Sequence, residues 1–271
     1  MRIALPETVK GIILDMDGVL WAADEPLLDM PRFFNDLEAL GIPVVFATNN
    51  GTRSIRMYVE RLRDYGVPVE PWQVVNSAIA TAAYLHKQHP GGGPVFVVGE
   101  QGVIDALEEK GFFLAKKDDE VVAVVAGMDR AMSYDKLAKA ALLIRAGKPF
   151  IGTNGDLTFP TPYGFVPGAG ATLAYLEVST GVQPMIIGKP EPYLYNFALE
   201  RLGTSPEETL AVGDRLETDI LGGHRTGCPT VLVLSGVSST AEAESYQPSP
   251  TLILPNLADL IPVLQSRPVN R

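Results

Sequence analysis

Short apolar runs alternate with amphipathic stretches along most of the chain. Positions 11–14 (GIIL) form a strand-like run that stops at the acidic Asp15-Met16-Asp17-Gly18. Positions 33–40 have helical spacing and end at Gly41. Positions 43–47 predict the next strand, which runs into Thr48-Asn49-Asn50-Gly51. Ser54 is placed to cap a helix that reaches about Tyr65, with Gly66 as its stop. The same logic predicts strands over 95–98, 121–125, 149–152, 185–187, 210–212 and 230–234. Helices are predicted over 103–110, 134–146 (Ser133 as N-cap), 171–179, 192–202 and 218–226. Positions 89–94 (HPGGGP) read as a surface turn. The apolar stretch 252–264 predicts a last strand and helix, with 267–271 frayed. Repeated strand–helix units define an α/β class with parallel sheets and helices on both faces.

The polar residues that follow these runs are the informative ones. Asp15, Thr48 and Asp214 each come directly after an apolar strand-like run. In open parallel sheets, sites form outside the carboxyl ends of the strands. The three could therefore converge at one edge, and Lys189, just past the 185–187 strand, could reach the same place.

Each segment has a chemical reading and a plainer one. Asp15 and Asp17, two positions apart at a strand end, suit a carboxylate nucleophile beside a general acid/base. The same pair also serves as an acidic turn. Thr48-Asn49-Asn50-Gly51 offers a hydroxyl and backbone N–H groups for phosphate oxygens, or an Asn-Gly turn. Lys189 could neutralise a phosphoryl group and the attacked aspartate together, or be an ordinary solvated lysine. Asp214 suits a hard cation such as Mg²⁺. Asp219 either orients Lys189 or a metal-bound water, or caps a helix start.

Composition narrows the partners. The 271 residues are 46% hydrophobic and 20% charged, which is ordinary for a soluble chain able to bury a core without staples. The net charge of -10, with no Lys/Arg-rich block, argues against nucleic acid but not against small phosphate esters. The single Cys228 cannot form a disulfide within the chain. No apolar run approaches the roughly 20 residues of a membrane helix. No signal-peptide pattern opens the chain, so a cytoplasmic protein without membrane association is expected.

Taken in order, Asp15-x-Asp17, Thr48, Lys189 and Gly213-Asp214 with Asp219 resemble the haloacid dehalogenase superfamily of phosphatases. Asp17, an acid, is similar to the phosphatase branch. Asp17-Gly18-Val19-Leu20-Trp21, Thr48-Asn49-Asn50 and Gly188-Lys189-Pro190 look like the subfamily of NagD-like and p-nitrophenyl-phosphatase-like enzymes. Gly51 and Glu217 stand where many relatives have Ser and Asp. The resemblance implies a Rossmann-like core over 1–78 and 187–271, with an α/β cap inserted over 79–186. It implies Asp15 as nucleophile and metal ligand. Asp17 would be general acid/base, with its backbone carbonyl on the metal. Thr48, Asn49 and Asn50 would bind the phosphoryl group, Lys189 would stabilise charge, and Asp214 would complete a Mg²⁺ site with Asp219 behind it. The substrate would be a small-molecule phosphate ester such as a sugar phosphate, nucleotide, phosphoglycolate or p-nitrophenyl phosphate. Similar proteins often form a homodimer through the cap. Candidate cap contacts lie in Asn154-Gly155-Asp156 and Pro167-Gly168-Ala169-Gly170-Ala171. A phospho-acceptor signalling domain and a non-catalytic phosphometabolite binder remain as alternatives.

Overall fold

The computed structural model describes residues 5–161 and 163–266. The expected frayed tail over 267–271 lies outside them. In chain order, Gly11–Leu14 (β1) is followed by two short strands, Trp21–Ala22 (β2) and Glu25–Pro26 (β3). Met30–Ala39 (α1), Val44–Thr48 (β4), Ile55–Asp64 (α2) and Val74–Asn76 (β5) come next. The middle of the chain carries Ser77–Gln88 (α3), Gly93–Val98 (β6), Gln101–Glu108 (α4), Phe112–Leu114 (β7) and Ala123–Ala126 (β8). It continues with Tyr134–Arg145 (α5), Phe150–Gly152 (β9), Thr158–Thr161 (β10), Gly164–Pro167 (β11), Ala169–Thr180 (α6) and Met185–Ile186 (β12). The last part holds Pro192–Leu202 (α7), Thr209–Gly213 (β13), a π-helical turn Leu216–Ile220 and Leu221–Thr226 (α8). Thr230–Val233 (β14), Thr240–Ser245 (α9), Leu252–Leu254 (β15) and Leu260–Gln265 (α10) complete it.

These elements fall into two compact units. One takes the chain up to Thr48, then Ile55–Val75, then everything from Lys189 onward. The other takes Asn49–Ser54 and Asn76–Gly188. The first unit is built on a six-stranded sheet in the order β15-β14-β13-β1-β4-β5. β1 runs parallel to both β13 and β4, and β13, β14 and β15 are parallel to one another. The second has its own sheet, β12-β9-β8-β6-β7, parallel throughout. This is the α/β class.

Local chemistry explains the element ends. Asp29 accepts from the Arg32 N–H at 3.2 Å to start α1, and Ser133 accepts from the Lys136 N–H at 3.2 Å to start α5. Pro192 opens α7, where a missing N–H costs nothing, and Gly203 closes it in the left-handed region at φ 70°. The central strands β1, β4, β13 and β14 are buried along their whole length. Continuous burial is why their sequences read as unbroken apolar runs. Ile12, Leu14, Phe46, Val212 and Val231 share one core cluster with Trp21, Phe33 and Leu37. At about 1.5–3 kcal/mol for each fully buried large apolar side chain, this layer is the main force holding the strand ends in place.

The structure departs from the sequence pattern in a few places. α3 was not expected. Its Ala-rich sequence is buried on most sides, so no polar stripe marks it. The predicted helix over 218–226 is a π-helical turn followed by a shorter helix. Gly93 and Pro94 belong to β6 rather than to a turn. No helix among the described residues is long and apolar enough to cross a membrane.

Candidate active site

Parallel pairing puts the sequence-predicted residues at one sheet edge of the first unit. Leu14 is in register with Val212 on one side and Phe46 on the other. Within two positions of that register lie Asp15 after β1, Asp214 after β13, and Thr48 at the end of β4. The backbone N–H of Asp15 donates to the Val212 carbonyl at 2.9 Å, so the nucleophile candidate leaves the sheet still tied to it.

Lys189 enters this edge from the far end of the sequence and is 4% exposed. Its Nζ donates to Asp15 Oδ1 at 2.5 Å, to Asp219 Oδ1 at 2.7 Å and to the Ala47 carbonyl at 3.0 Å. A lysine fixed by three acceptors is not a solvated surface lysine. Asp219 does two jobs at once: Oδ1 takes the Lys189 ammonium and Oδ2 accepts from the Arg215 N–H at 3.1 Å. Asp219 thus ties the lysine to the backbone at the start of the π-helical turn. Tyr195 Oη adds a bond to the Asp219 carbonyl at 3.0 Å.

Asp214 completes the cluster. One oxygen each of Asp15, Asp214 and Asp219 lie within 4.8 Å of one another, and all three residues are buried. The Asp214 carboxylate is held from the loop after β14, where Val237 N–H donates to Oδ2 at 2.8 Å and Ser238 N–H donates to its carbonyl at 3.1 Å. The sequence reading missed this loop; its only signal was a Ser-Gly pair just past a strand. Two glycines make the packing feasible. A Cβ on Gly18, at φ 80°, would stand 2.4 Å from Asp214 Oδ2, and a Cβ on Gly213 would stand 2.2 Å from the Asp219 carboxyl carbon.

The electrostatics follow from three acids around one ammonium. Burial pushes the Asp15 carboxyl well up; Lys189 pulls it back, while Asp219 and Asp214 push it further up. Burial and then Asp219 raise Asp214 to about 6, against a pull from the Val237 N–H. Burial opposes the Lys189 ammonium, but Asp15 and Asp219 outweigh it and hold its pKa well above the ordinary lysine value. The cluster is short of positive charge. A hard divalent cation would supply what is missing, and buried carboxylate oxygens are the donors such a cation prefers. Asp219 is committed to Lys189 and Arg215, so Asp15 and Asp214 are the side chains suited to hold it.

The remaining candidates lie differently. Asp17 is exposed, outside this carboxylate cluster, and its Oδ1 accepts from Trp21 Nε1 at 2.8 Å. Asn49 and Asn50 belong to the second unit. Asn49 Nδ2 donates to Asp156 Oδ2 at 2.9 Å, and Asn154 Nδ2 donates to the same oxygen at 2.6 Å. Asn50 Oδ1 accepts from the Thr52 N–H at 3.1 Å and the Thr52 hydroxyl at 2.6 Å, a turn stabilised by its own side chain.

The haloacid dehalogenase-like hydrolase profile matches residues 12–113, and a HAD-hydrolase-like profile matches residues 186–260. The 5'-nucleotidase YutF of Bacillus subtilis (strain 168) is 37% identical over 258 residues, covering 95% of this chain and 100% of the relative. The acid sugar phosphatase of Staphylococcus aureus (strain MRSA252) is 38% identical over 256 residues, covering 94% and 98%. Among solved structures, the p-nitrophenyl phosphatase from Archaeoglobus fulgidus superposes with a TM-score of 0.89 at 32% identity, covering 95% of this chain and 100% of that one. The chain belongs to the haloacid dehalogenase-like hydrolases.

Proposed function

We propose that this protein is a Mg²⁺-dependent phosphatase that hydrolyses small-molecule phosphate monoesters through a phospho-aspartyl intermediate on Asp15. The observation that carries the reading is the buried cluster of Asp15, Asp214 and Asp219, with Lys189 bonded to Asp15 and Asp219. The relatives' names, a nucleotidase, a sugar phosphatase and a p-nitrophenyl phosphatase, support small phosphate esters as the substrate class.

In the first step an Asp15 carboxylate oxygen attacks phosphorus. The new O–P bond forms as the ester P–O bond breaks, and Asp17 gives its proton to the departing alkoxide. In the second step Asp17 takes a proton from water, the water oxygen attacks phosphorus, and the acyl-phosphate O–P bond breaks to release phosphate and restore Asp15. Lys189 is held against Asp15 before substrate arrives, so it offsets developing negative charge without reorganising. Asp15 and Asp214, with the Asp17 carbonyl, would hold Mg²⁺, which would supply charge neutralisation between a carboxylate and a dianionic ester. Thr48, Asn49 and Asn50 take phosphoryl oxygens, and Asp219 keeps Lys189 in place.

The second unit, 79–186 in the sequence reading, serves as the cap that selects the substrate. Its exposed Phe165 and Tyr163 in the β10–β11 hairpin supply apolar surface for a homodimer through the cap. The test is phosphate release from a panel of esters with Mg²⁺ or with EDTA, on wild type and Asp15→Asn. Turnover that needs Mg²⁺ and disappears in Asp15→Asn supports the reading. Turnover insensitive to chelation, or kept in the variant, overturns it.

A further inference from the structure

An exposed carboxylate on a loop has several rotamers, yet a general acid must present one oxygen to the leaving group. The structure shows how Asp17 is restrained. After β1, the Met16 carbonyl accepts from Leu20 N–H at 2.8 Å and from Val19 N–H at 3.3 Å, and Gly18 N–H donates to the Trp21 carbonyl at 2.8 Å. This single tight turn brings residue 21 back over residue 17. Trp21 Nε1 then donates to Asp17 Oδ1 at 2.8 Å.

The indole itself is immobile. Trp21 is fully buried. The Arg61 guanidinium carbon lies 4.1 Å from its ring centroid, and Tyr65 stacks on it at 5.9 Å with 27° between the planes. Both residues also rivet the β2–β3 hairpin. Arg61 donates to the Ala23 carbonyl and pairs with Asp24 at 3.4 Å, and Tyr65 Oη donates to the Asp24 carbonyl at 2.6 Å. Arg61 and Tyr65 belong to α2 and the residue just past it, so the donor facing Asp17 is anchored to the core of its own unit.

We propose that Trp21 is the positioning residue for Asp17: its indole N–H holds Oδ1 as a permanent acceptor, so the proton given to the leaving group and later taken from water moves only on Oδ2. This rests on the reading of Asp17 as the general acid/base. The donor type matters. An indole N–H cannot accept, so it always meets an unprotonated oxygen. Being neutral, it fixes the carboxylate without adding charge beside it.

The test replaces Trp21 by 3-benzothienylalanine in a Trp72→Phe background, which keeps the bicyclic shape and removes only the N–H. Trp21→Phe is the simpler companion, with its fold checked by circular dichroism. kcat/KM is measured over phosphate esters of rising leaving-group pKa, because it reports the step in which the ester bond breaks. We expect a loss of under about threefold on p-nitrophenyl phosphate and about tenfold on alkyl phosphates, a share of the roughly 10²–10⁴ that general acid catalysis contributes. We expect no added loss from either replacement in an Asp17→Asn background. Equal losses across the series, or losses that multiply with those of Asp17→Asn, overturn the role of Trp21. If Asp17→Asn itself shows no dependence on the leaving group, the general-acid reading fails first, and the two failures are told apart.

Discussion

Replacing Lys189 by Met tests the electrostatic account of the site most sharply. The change keeps an unbranched chain of similar length and deletes the ammonium. Two carboxylates then lose a charge-assisted partner, Asp15 at 2.5 Å and Asp219 at 2.7 Å, and Asp219 is only 2% exposed. Breaking a buried ion pair by removing one partner costs about 3–5 kcal/mol, because the stranded charge keeps its desolvation penalty. Both tryptophans of the chain, Trp21 and Trp72, lie in the unit that holds Lys189, so tryptophan fluorescence follows the unfolding of that unit. Urea unfolding at pH 7.5 with EDTA should show Lys189→Met destabilised by about 3 kcal/mol. The raised pKa of Lys189 means its stabilisation is present throughout the neutral range and is lost only as pH rises through that raised value. At pH 5 the penalty should shrink, since Asp15, already pushed up by burial, takes a proton at small cost. Adding Asp219→Asn should recover about 1 kcal/mol or more, a coupling expected of groups in one network. A loss below about 0.5 kcal/mol at pH 7.5, with no coupling to Asp219→Asn, would refute the buried network.

Gly18→Ala forces a Cβ toward Asp214 Oδ2 at φ 80°, so it should cost about 1–2 kcal/mol and weaken activation by Mg²⁺; an unchanged Mg²⁺ titration would contradict this. Asp214, raised to about 6 from an unfolded value near 3.9, favours folding when protonated. That contribution is full below about pH 4 and is lost as pH rises through about 6, so metal-free Asp214→Asn should exceed wild type by about 2 kcal/mol at pH 7.5 and by little at pH 4. Urea midpoints at the two pH values check the sign. Asp17→Asn, assayed with p-nitrophenyl phosphate, should release a burst of p-nitrophenol followed by slow turnover, because the water-activating base is lost while the good leaving group still departs; a linear time course would count against that base.

Residues placed by a buried strand were the most legible in the sequence. Asp15, Thr48 and Asp214 could be set at one edge because a parallel sheet makes the end of every apolar run the same kind of place. Lys189 could be assigned to that edge only loosely, since its three bonds come from strands and turns far away in sequence. Short-range geometry was hidden. β2 and β3 are two residues each, too short to show a period, so the burial of Trp21 and its bond to Asp17 left no pattern to read. α3 was hidden for the opposite reason, being apolar on nearly every side. Asn49 and Asn50 came as phosphoryl ligands only through the family resemblance, and their side-chain bonds to Asp156 and Thr52 left no pattern in the sequence.

The central claim is a covalent phosphoryl group on Asp15. The direct measurement is rapid acid quench of Asp17→Asn during turnover of p-nitrophenyl phosphate with Mg²⁺, followed by peptide mass mapping. The account predicts one phosphoryl group on the peptide containing Asp15, and none when Asp15→Asn is added. Turnover with that peptide unmodified, or with the phosphoryl group on another residue, would contradict it.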